Sequence, residues 1–258
     1  MSTDHHVGYV KSETHKGVGI IEFFHPQSNS MPGYLLQELA KAIRHAGLDP
    51  DIYLIVVKSA GDKTFCSGAS FEELSSIKTE EQGKKFFSGF AQVILAMRDC
   101  PKFIIGRIQG KCVGGGVGLA AAMDYCFAVD DVEIKLSELS IGIGPFVVGP
   151  AVERKIGLSA YSQLAIDSNN WRNAEWAKRK GLFAEVHPTI DDMDEAIRKL
   201  AISLVHSSVE AMAELKKITW HDTDHWDRML MERAAMSGRL IITPASKEVI
   251  ARLRAKVK

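Results

Sequence analysis

Two features of this sequence could act on a ligand together. Gly114, Gly115 and Gly116 stand in a row within residues 110–150 (GKCVGGGVGLAAAMDYCFAVDDVEIKLSELSIGIGPFVVGP), and Glu138 follows among Leu136, Leu139 and Ile141. Glycine has no Cβ, so a glycine run lets the backbone approach a ligand closely. A helix that starts there aims free N–H groups at the ligand, which suits an anion or a polarised carbonyl oxygen. A carboxylate set in an apolar pocket holds its proton to higher pH than in water and becomes a useful base near neutrality. Hydrogen-bond donors and a carboxylate thus share one stretch, which is the expected functional centre.

The elements around that stretch must position it. Residues 7–14 and 18–24 read as strands of a hairpin turning at His15-Lys16-Gly17. A loop over residues 25–30 follows, then a helix opened by Pro32-Gly33 with Leu35, Leu36, Leu39, Ile43 and Ala46 on one face. Residues 52–58 (IYLIVVK) form a buried strand by their near-continuous apolar, β-branched character, and residues 59–70 a turn-rich connection. Thr79 caps a helix striped with Phe86, Phe87, Phe90, Val93, Ile94 and Met97, which Pro101 ends. Strands over 103–109 and 125–129 flank the glycines. Beyond Pro150 the reading is almost all helix: 151–166, 174–180, 190–206, 209–220, 224–240 and 245–257. The fold class is α/β: a parallel-rich core with a helical C-terminal region.

Composition narrows the function. The 258 residues are 46% apolar, enough for a sizeable core, and Lys+Arg and Asp+Glu both number 32. That balance gives no electrostatic footprint for nucleic acid or an anionic membrane. No run approaches the ~18 apolar residues of a membrane helix, and the opening MSTDHHVGYVK has no basic-then-apolar signal pattern. A cytoplasmic protein is expected, with no nucleic-acid or membrane partner. Cys66, Cys100, Cys112 and Cys126 show no CxxC spacing and read as buried thiols.

Three motifs in order carry a family resemblance: TFCSGASFEEL (residues 64–74), GKCVGGGVGLAAAMDY and KLSELSIGIGP. The loop holding Asn29, residues 173–188 (NAEWAKRKGLFAEVHP), residues 207–218 (SSVEAMAELKKI) and the closing TPASKEVIARLRAK fit as well. Together they resemble the crotonase superfamily of enoyl-CoA hydratases and isomerases. The resemblance implies a crotonase-like spiral of ββα repeats with a helical C-terminal trimerisation region. Residues 1–190 would be the spiral core with the acyl-CoA site, and 191–258 the helical region. The substrate would be an acyl-CoA thioester and the assembly a homotrimer or dimer of trimers. No metal or separate cofactor is implied, since coenzyme A belongs to the substrate.

The same resemblance assigns residues. The backbone N–H groups of Ala69 and Gly115 would hold the thioester oxygen in an oxyanion hole, where each donor is worth about 2.7–4 kcal/mol. Cys66, Ser67, Gly114, Gly118 and Phe146 would contact the substrate, and Glu138 would be the catalytic carboxylate. A typical hydratase carries a second glutamate where this chain has Gly118. One glutamate can take a proton from one carbon and return it to another, as an isomerase does. Isomerisation and hydration both stay open here, with Glu72, Glu73 or a bound water able to assist hydration. Ser70 also departs from the aspartate common in hydratases.

Other readings compete. A catalytically reduced acyl-CoA-binding or scaffold protein would keep the fold and lose the glutamate at 118. Residues 116–121 satisfy GxGxxA, a dinucleotide fingerprint that would suit an NAD(P)-dependent oxidoreductase, but Asp130 follows too soon for the usual roughly 20-residue spacing. His221-Asp222-Thr223-Asp224-His225 could suggest a metal cluster; Asp222 or Asp224 capping the next helix is the simpler account.

Overall fold

The computed structural model describes residues 8–257. Val7, placed in the first strand by the sequence, and the six residues before it lie outside the described residues.

Strand β3 (Leu54–Ser59) is buried nearly throughout, as a strand covered on both faces must be. It pairs in parallel with β2 (Val18–Phe24) on one side and β5 (Ile104–Ile108) on the other, with Ile55 opposite Ile104 and Val56 opposite Ile105. β7 (Tyr125–Val129) and β10 (Glu185–His187) continue the sheet, and β1 (Tyr9–His15) closes the far edge antiparallel to β2. The order is β1-β2-β3-β5-β7-β10. A second sheet runs β4 (Thr64–Cys66), β6 (Lys111–Val113), β8 (Glu133–Lys135) and β9 (Arg172–Asn173).

The two sheets are built together. β3, β5 and β7 each enter the large sheet, and the strand that follows each one, β4, β6 or β8, enters the small sheet. A helix then carries the chain onward: α2 (Phe71–Ser76) with α3 (Glu80–Asp99), then α4 (Gly115–Ala122), then α5 (Gly149–Ile166). This is the spiral of ββα turns. The small-sheet strands have three residues or fewer, too short to show a period of two in the sequence.

Local chemistry sets the helix ends. α1 (Gly33–Leu48) buries Leu35, Leu36, Leu39 and Ile43 against the sheet. α3 begins in a capping box: Gln82 N–H donates to Thr79 Oγ1 at 3.2 Å, and Thr79 N–H to Gln82 Oε1 at 3.3 Å. α5 breaks at Gly157, whose φ of 77° interrupts what the sequence presents as one helix. α6 (Ala174–Lys180), α7 (Ile190–Val205), α8 (Val209–Thr219), α9 (Trp226–Ile241) and α10 (Pro244–Val257) complete the chain. Neither Asp222 nor Asp224 caps α9; His225 holds that position without a side-chain bond, and Asp222 turns the chain at φ 59°.

The C-terminal helices are tied into the spiral. Lys216 of α8 is buried, with Nζ 2.9 Å from Asp124 Oδ2 and 2.7 Å from the Lys102 carbonyl oxygen to which it donates. α9 packs along α3, and Arg98 of α3 reaches Asp227 of α9 at 2.8 Å. The helices meet most closely at Gly83 and Gly238: a Cβ on Gly83 would stand 2.5 Å from Gly238 Cα.

Candidate active site

The loop after β4 is seated by its neighbours. Met31 N–H donates to the Gly68 carbonyl at 2.8 Å, and Ser70 N–H to the Met31 carbonyl at 3.4 Å. In an extended segment alternate groups point oppositely, so the N–H of Ala69 between them faces away from Met31. Asn29, itself at φ 53°, fixes this arrangement from behind. Its Nδ2 donates to the carbonyls of Ala60 and Thr64 at 2.8 Å each, and its Oδ1 accepts from His25 N–H. Gly68 has φ 86°, and a Cβ there would lie 2.7 Å from the Val113 carbonyl oxygen and 3.3 Å from Gly115 N. The bare glycine lets the Ala69 loop rest on the start of α4.

That start is the glycine run. Gly114 caps α4 at φ 51°, ψ −116°, a conformation closed to side-chain-bearing residues. Gly115 N–H opens the helix, where no intrahelical carbonyl can reach it. Phe90 lies against Gly115, its ring carbon 2.2 Å from where a Cβ would be. Among the described residues neither Ala69 N–H nor Gly115 N–H has a protein acceptor. Both residues line a narrow cleft of about 50 Å³ with Ser67, Gly114, Glu138 and Phe146, walled by Phe71, Phe87, Phe90, Ile141, Ile143 and Val147.

Glu138 begins a single 3-10 turn, Glu138–Ile141. Its Oε1 lies 3.0 Å from the empty Cβ position of Gly114, so the carboxylate rests on the glycine. Oε2 is sealed from solvent without a hydrogen-bond partner. Desolvation pushes the carboxyl up to about 7, opposed in part by a hydrogen bond from the residue's own N–H. The turn is closed by Gly142 at φ 82°. Ser246 of α10, fully buried, donates its hydroxyl to the Gly142 carbonyl at 3.1 Å, and a Cβ on Gly142 would collide with it. α10 is further held by Lys247, whose Nζ donates to the Ile77 carbonyl.

Two residues that the resemblance places against the substrate stand behind the cleft wall. A Cβ on Gly118 would be 2.4 Å from both Cβ and Cγ1 of Val148, so valine occupies the space a side chain at 118 would need. Cys66 is fully buried; its Sγ accepts from Gly68 N–H at 3.4 Å, and burial pushes the thiol up to about 12. It sits next to Ala69 in sequence but props the loop from below. Cys112 is likewise buried and its thiol pushed well up. Gly116 packs on the Cys66 carbonyl, 2.5 Å from its own missing Cβ, and Gly118 on the Val148 side chain, so both glycines of the GxGxxA match are used in packing.

Glu73 accepts from Gly33 N–H at 2.7 Å, which holds the start of α1, and Glu72 is exposed. Neither lines the cleft; among the described residues Glu138 is its one carboxylate. No group of three or more His, Cys, Asp or Glu side chains is arranged to hold a metal ion among those residues. The sequence reading passed over Gly68, Val148, Ser237 and Ser246. Gly68 had a signal in its SGAS context, but the other three owe their place to contacts made far along the chain. A larger cleft, about 870 Å³, lies elsewhere, around Arg154, Leu158 and Trp226, and contains none of these groups.

Comparison with known proteins follows the same lines. The family model described as enoyl-CoA hydratase/isomerase matches residues 13–250. The peroxisomal Delta(3,5)-Delta(2,4)-dienoyl-CoA isomerase of Arabidopsis thaliana is 28% identical over 196 residues, 70% of this chain and 69% of that one. The carnitinyl-CoA dehydratase of Escherichia coli (strain K12) is 27% identical over 195 residues, 75% of this chain and 73% of that one. In three dimensions the chain is similar to the enoyl-CoA hydratase from Bacillus halodurans, with a TM-score of 0.87, 21% identity and coverage of 95% and 99%; at that identity the likeness shows the fold.

Proposed function

The chain belongs to the enoyl-CoA hydratase/isomerase family and is an enzyme of that type, and within it we propose a double-bond isomerase that works with one carboxylate. The acyl-CoA thioester oxygen is held by the N–H groups of Ala69 and Gly115. Glu138 takes a proton from C2 of a 3-enoyl-CoA. The C2–H electron pair moves into the conjugated dienolate, whose charge falls largely on the thioester oxygen between the two donors. Glu138, now neutral, returns the proton to C4, the double bond settles between C2 and C3, and the carboxylate is regenerated. A carboxyl near 7 suits both halves, since it gives and takes a proton at comparable cost near neutral pH.

One observation carries the choice of isomerisation: Val148 fills the place of a side chain at Gly118. Hydration needs a water held and deprotonated while the neighbouring carbon is protonated, which two carboxylates accomplish. Here the second carboxylate's place is hydrocarbon, and Glu73 is engaged at Gly33. The test is a pair of assays, one following formation of the conjugated double bond from a 3-enoyl-CoA and the other its loss from a trans-2-enoyl-CoA. Conversion of the 3-enoyl substrate, lost in Glu138→Gln, is expected. Hydration at a comparable rate would overturn the reading, and binding without turnover of either would favour a scaffold role.

Assembly and location belong to the same proposal. A homotrimer or dimer of trimers would use residues 191–258, with exposed Ile218 and Leu215 of α8 as apolar contact surface, the latter sharing a cleft with exposed Leu158 of α5. Ser237 of that span also lines the cleft, so the two spans would build the site jointly. The four free cysteines suit a reducing compartment such as the cytoplasm. Coenzyme A would enter with the substrate, with no separate cofactor.

A further inference from the structure

The cleft wall carries one buried hydroxyl, among the described residues, whose purpose the proton transfer leaves unexplained. Ser237 of α9 is 1% exposed and lines the cleft. Among the described residues no group donates to its Oγ or accepts from it. Its Oγ is not among the described side-chain atoms sealed from solvent without a partner, so its small exposed surface opens on the cleft, and a ligand that fills the cleft leaves the hydroxyl unpaired unless it supplies a polar group. Of the other wall hydroxyls, Ser67 donates to the Gln27 carbonyl at 3.4 Å, and Ser137, at the head of the Glu138 turn, makes no side-chain bond but is only half-buried.

Backbone packing fixes where this hydroxyl stands. Gly238, the next residue, meets α3 so tightly that a Cβ on it would lie 2.5 Å from Lys84 N, and one on Gly83 would lie 2.5 Å from Gly238 Cα. Gly83, Phe87 and Phe90 share one face of α3 by their spacing of four and seven residues. Phe90 touches Gly115, so the Gly83 contact lies about 10 Å further along that helix. Ser237 therefore occupies the end of the cleft remote from the two free N–H groups. The cavity between, about 50 Å³, holds only a few water-sized groups.

We propose that Ser237 determines specificity: its hydroxyl bonds a polar group at the far end of a short acyl chain, so that such chains are preferred to hydrocarbon chains of equal length. A site built to hydrogen-bond a hydroxyl rejects the analogue that lacks it, because the buried partner is then left unpaired. Ser237 has this role only if the cleft takes the acyl group as proposed above, so the test must separate the two.

Saturated ligands do so, because they bind without reacting. Titration calorimetry would compare butanoyl-CoA with 4-hydroxybutanoyl-CoA, and hexanoyl-CoA with 6-hydroxyhexanoyl-CoA, on the wild type, Ser237→Ala and Ser237→Thr. In at least one pair the wild type binds the hydroxylated member about tenfold more tightly. Ser237→Ala abolishes that ratio, and Ser237→Thr, which keeps the hydroxyl, retains most of it. An alkyl-ended ligand bound as tightly as its hydroxylated partner in both wild-type pairs would overturn the inference. So would an unchanged ratio in Ser237→Ala, or equal weakening of all four ligands in both variants, which marks a purely structural serine. If none of the four binds the wild type, the acyl-CoA reading falls as well. If the ratio behaves as expected but no 3-enoyl-CoA is isomerised, the reaction assignment falls and the role of Ser237 stands.

Discussion

Gly114 and Gly118 lie one helical turn apart at the start of α4, and opposite chemistry fills the space each leaves. Beside Gly114 is the Glu138 carboxylate, 3.0 Å from the missing Cβ; beside Gly118 is the Val148 isopropyl group, at 2.4 Å. At the first position the absent side chain makes room for a charge next to the cleft. At the second it makes room for hydrocarbon that seals the wall. The same residue type thus makes room for a carboxylate at one place and leaves no room for a second at the other. The proposed reaction rests on that asymmetry.

The sharpest way to break the comparison is to neutralise its charged half. Glu138→Gln should lower kcat for 3-enoyl-CoA by about 10²–10⁴-fold, the range for a positioned general acid–base, while circular dichroism shows the fold retained. Next comes the donor pair that makes the charge useful. Gly68→Ala places a Cβ against the Val113 carbonyl at a φ of 86° and must shift the Ala69 loop. Loss of one oxyanion donor predicts a fall in kcat of about 10²–10³-fold, with the pH dependence of turnover unchanged.

The acidity of Glu138 predicts two opposite slopes. Turnover should rise with pH toward about 7 as the base ionises. Stability should run the other way. The folded carboxyl is raised above its unfolded value, so the folded state keeps its proton where the unfolded chain has lost it. That contribution is fully present below about 4.5 and declines until the folded group ionises near 7, by about 3 kcal/mol in all. Urea titrations between pH 4 and 8 should show this slope in the wild type and its absence in Glu138→Gln.

The apolar half of the comparison is tested by crowding it. Gly118→Ala should destabilise by about 1–3 kcal/mol through overpacking against Val148. Pairing it with Val148→Ala should recover most of the loss. An unaffected single variant would mean the wall is looser than the contact distance states. The smallest effect belongs to Ser246→Ala, which removes one buried hydrogen bond to Gly142. It should cost about 1 kcal/mol and slow turnover a few-fold by loosening the Glu138 turn.

Much of the frame was legible in the sequence. Helix positions followed from apolar spacing and from caps such as Thr79. Apolar neighbours marked Glu138 as a buried carboxylate, and the glycine run marked the start of α4. What resisted reading was whatever depends on three-dimensional neighbours. Val148 is an ordinary valine until α5 brings its N-terminal side against α4, and Ser246 carries no local hint that it will meet Gly142. Closeness in sequence to Ala69 does not tell which way the Cys66 side chain turns. Side chains alternate along extended backbone, and the thiol lies under the loop.

The bond from Ser246 to Gly142 joins residues 104 positions apart, which sets an order of events during synthesis. A ribosome releases Glu138 and its turn well before it releases α10. Through that interval the emerging polypeptide can complete its ββα turns while the Glu138 turn still lacks its clasp. Full activity should then appear late, when α10 has emerged and docked. A stall or premature stop before α10 would yield a chain with most of its spiral but a poorly held base.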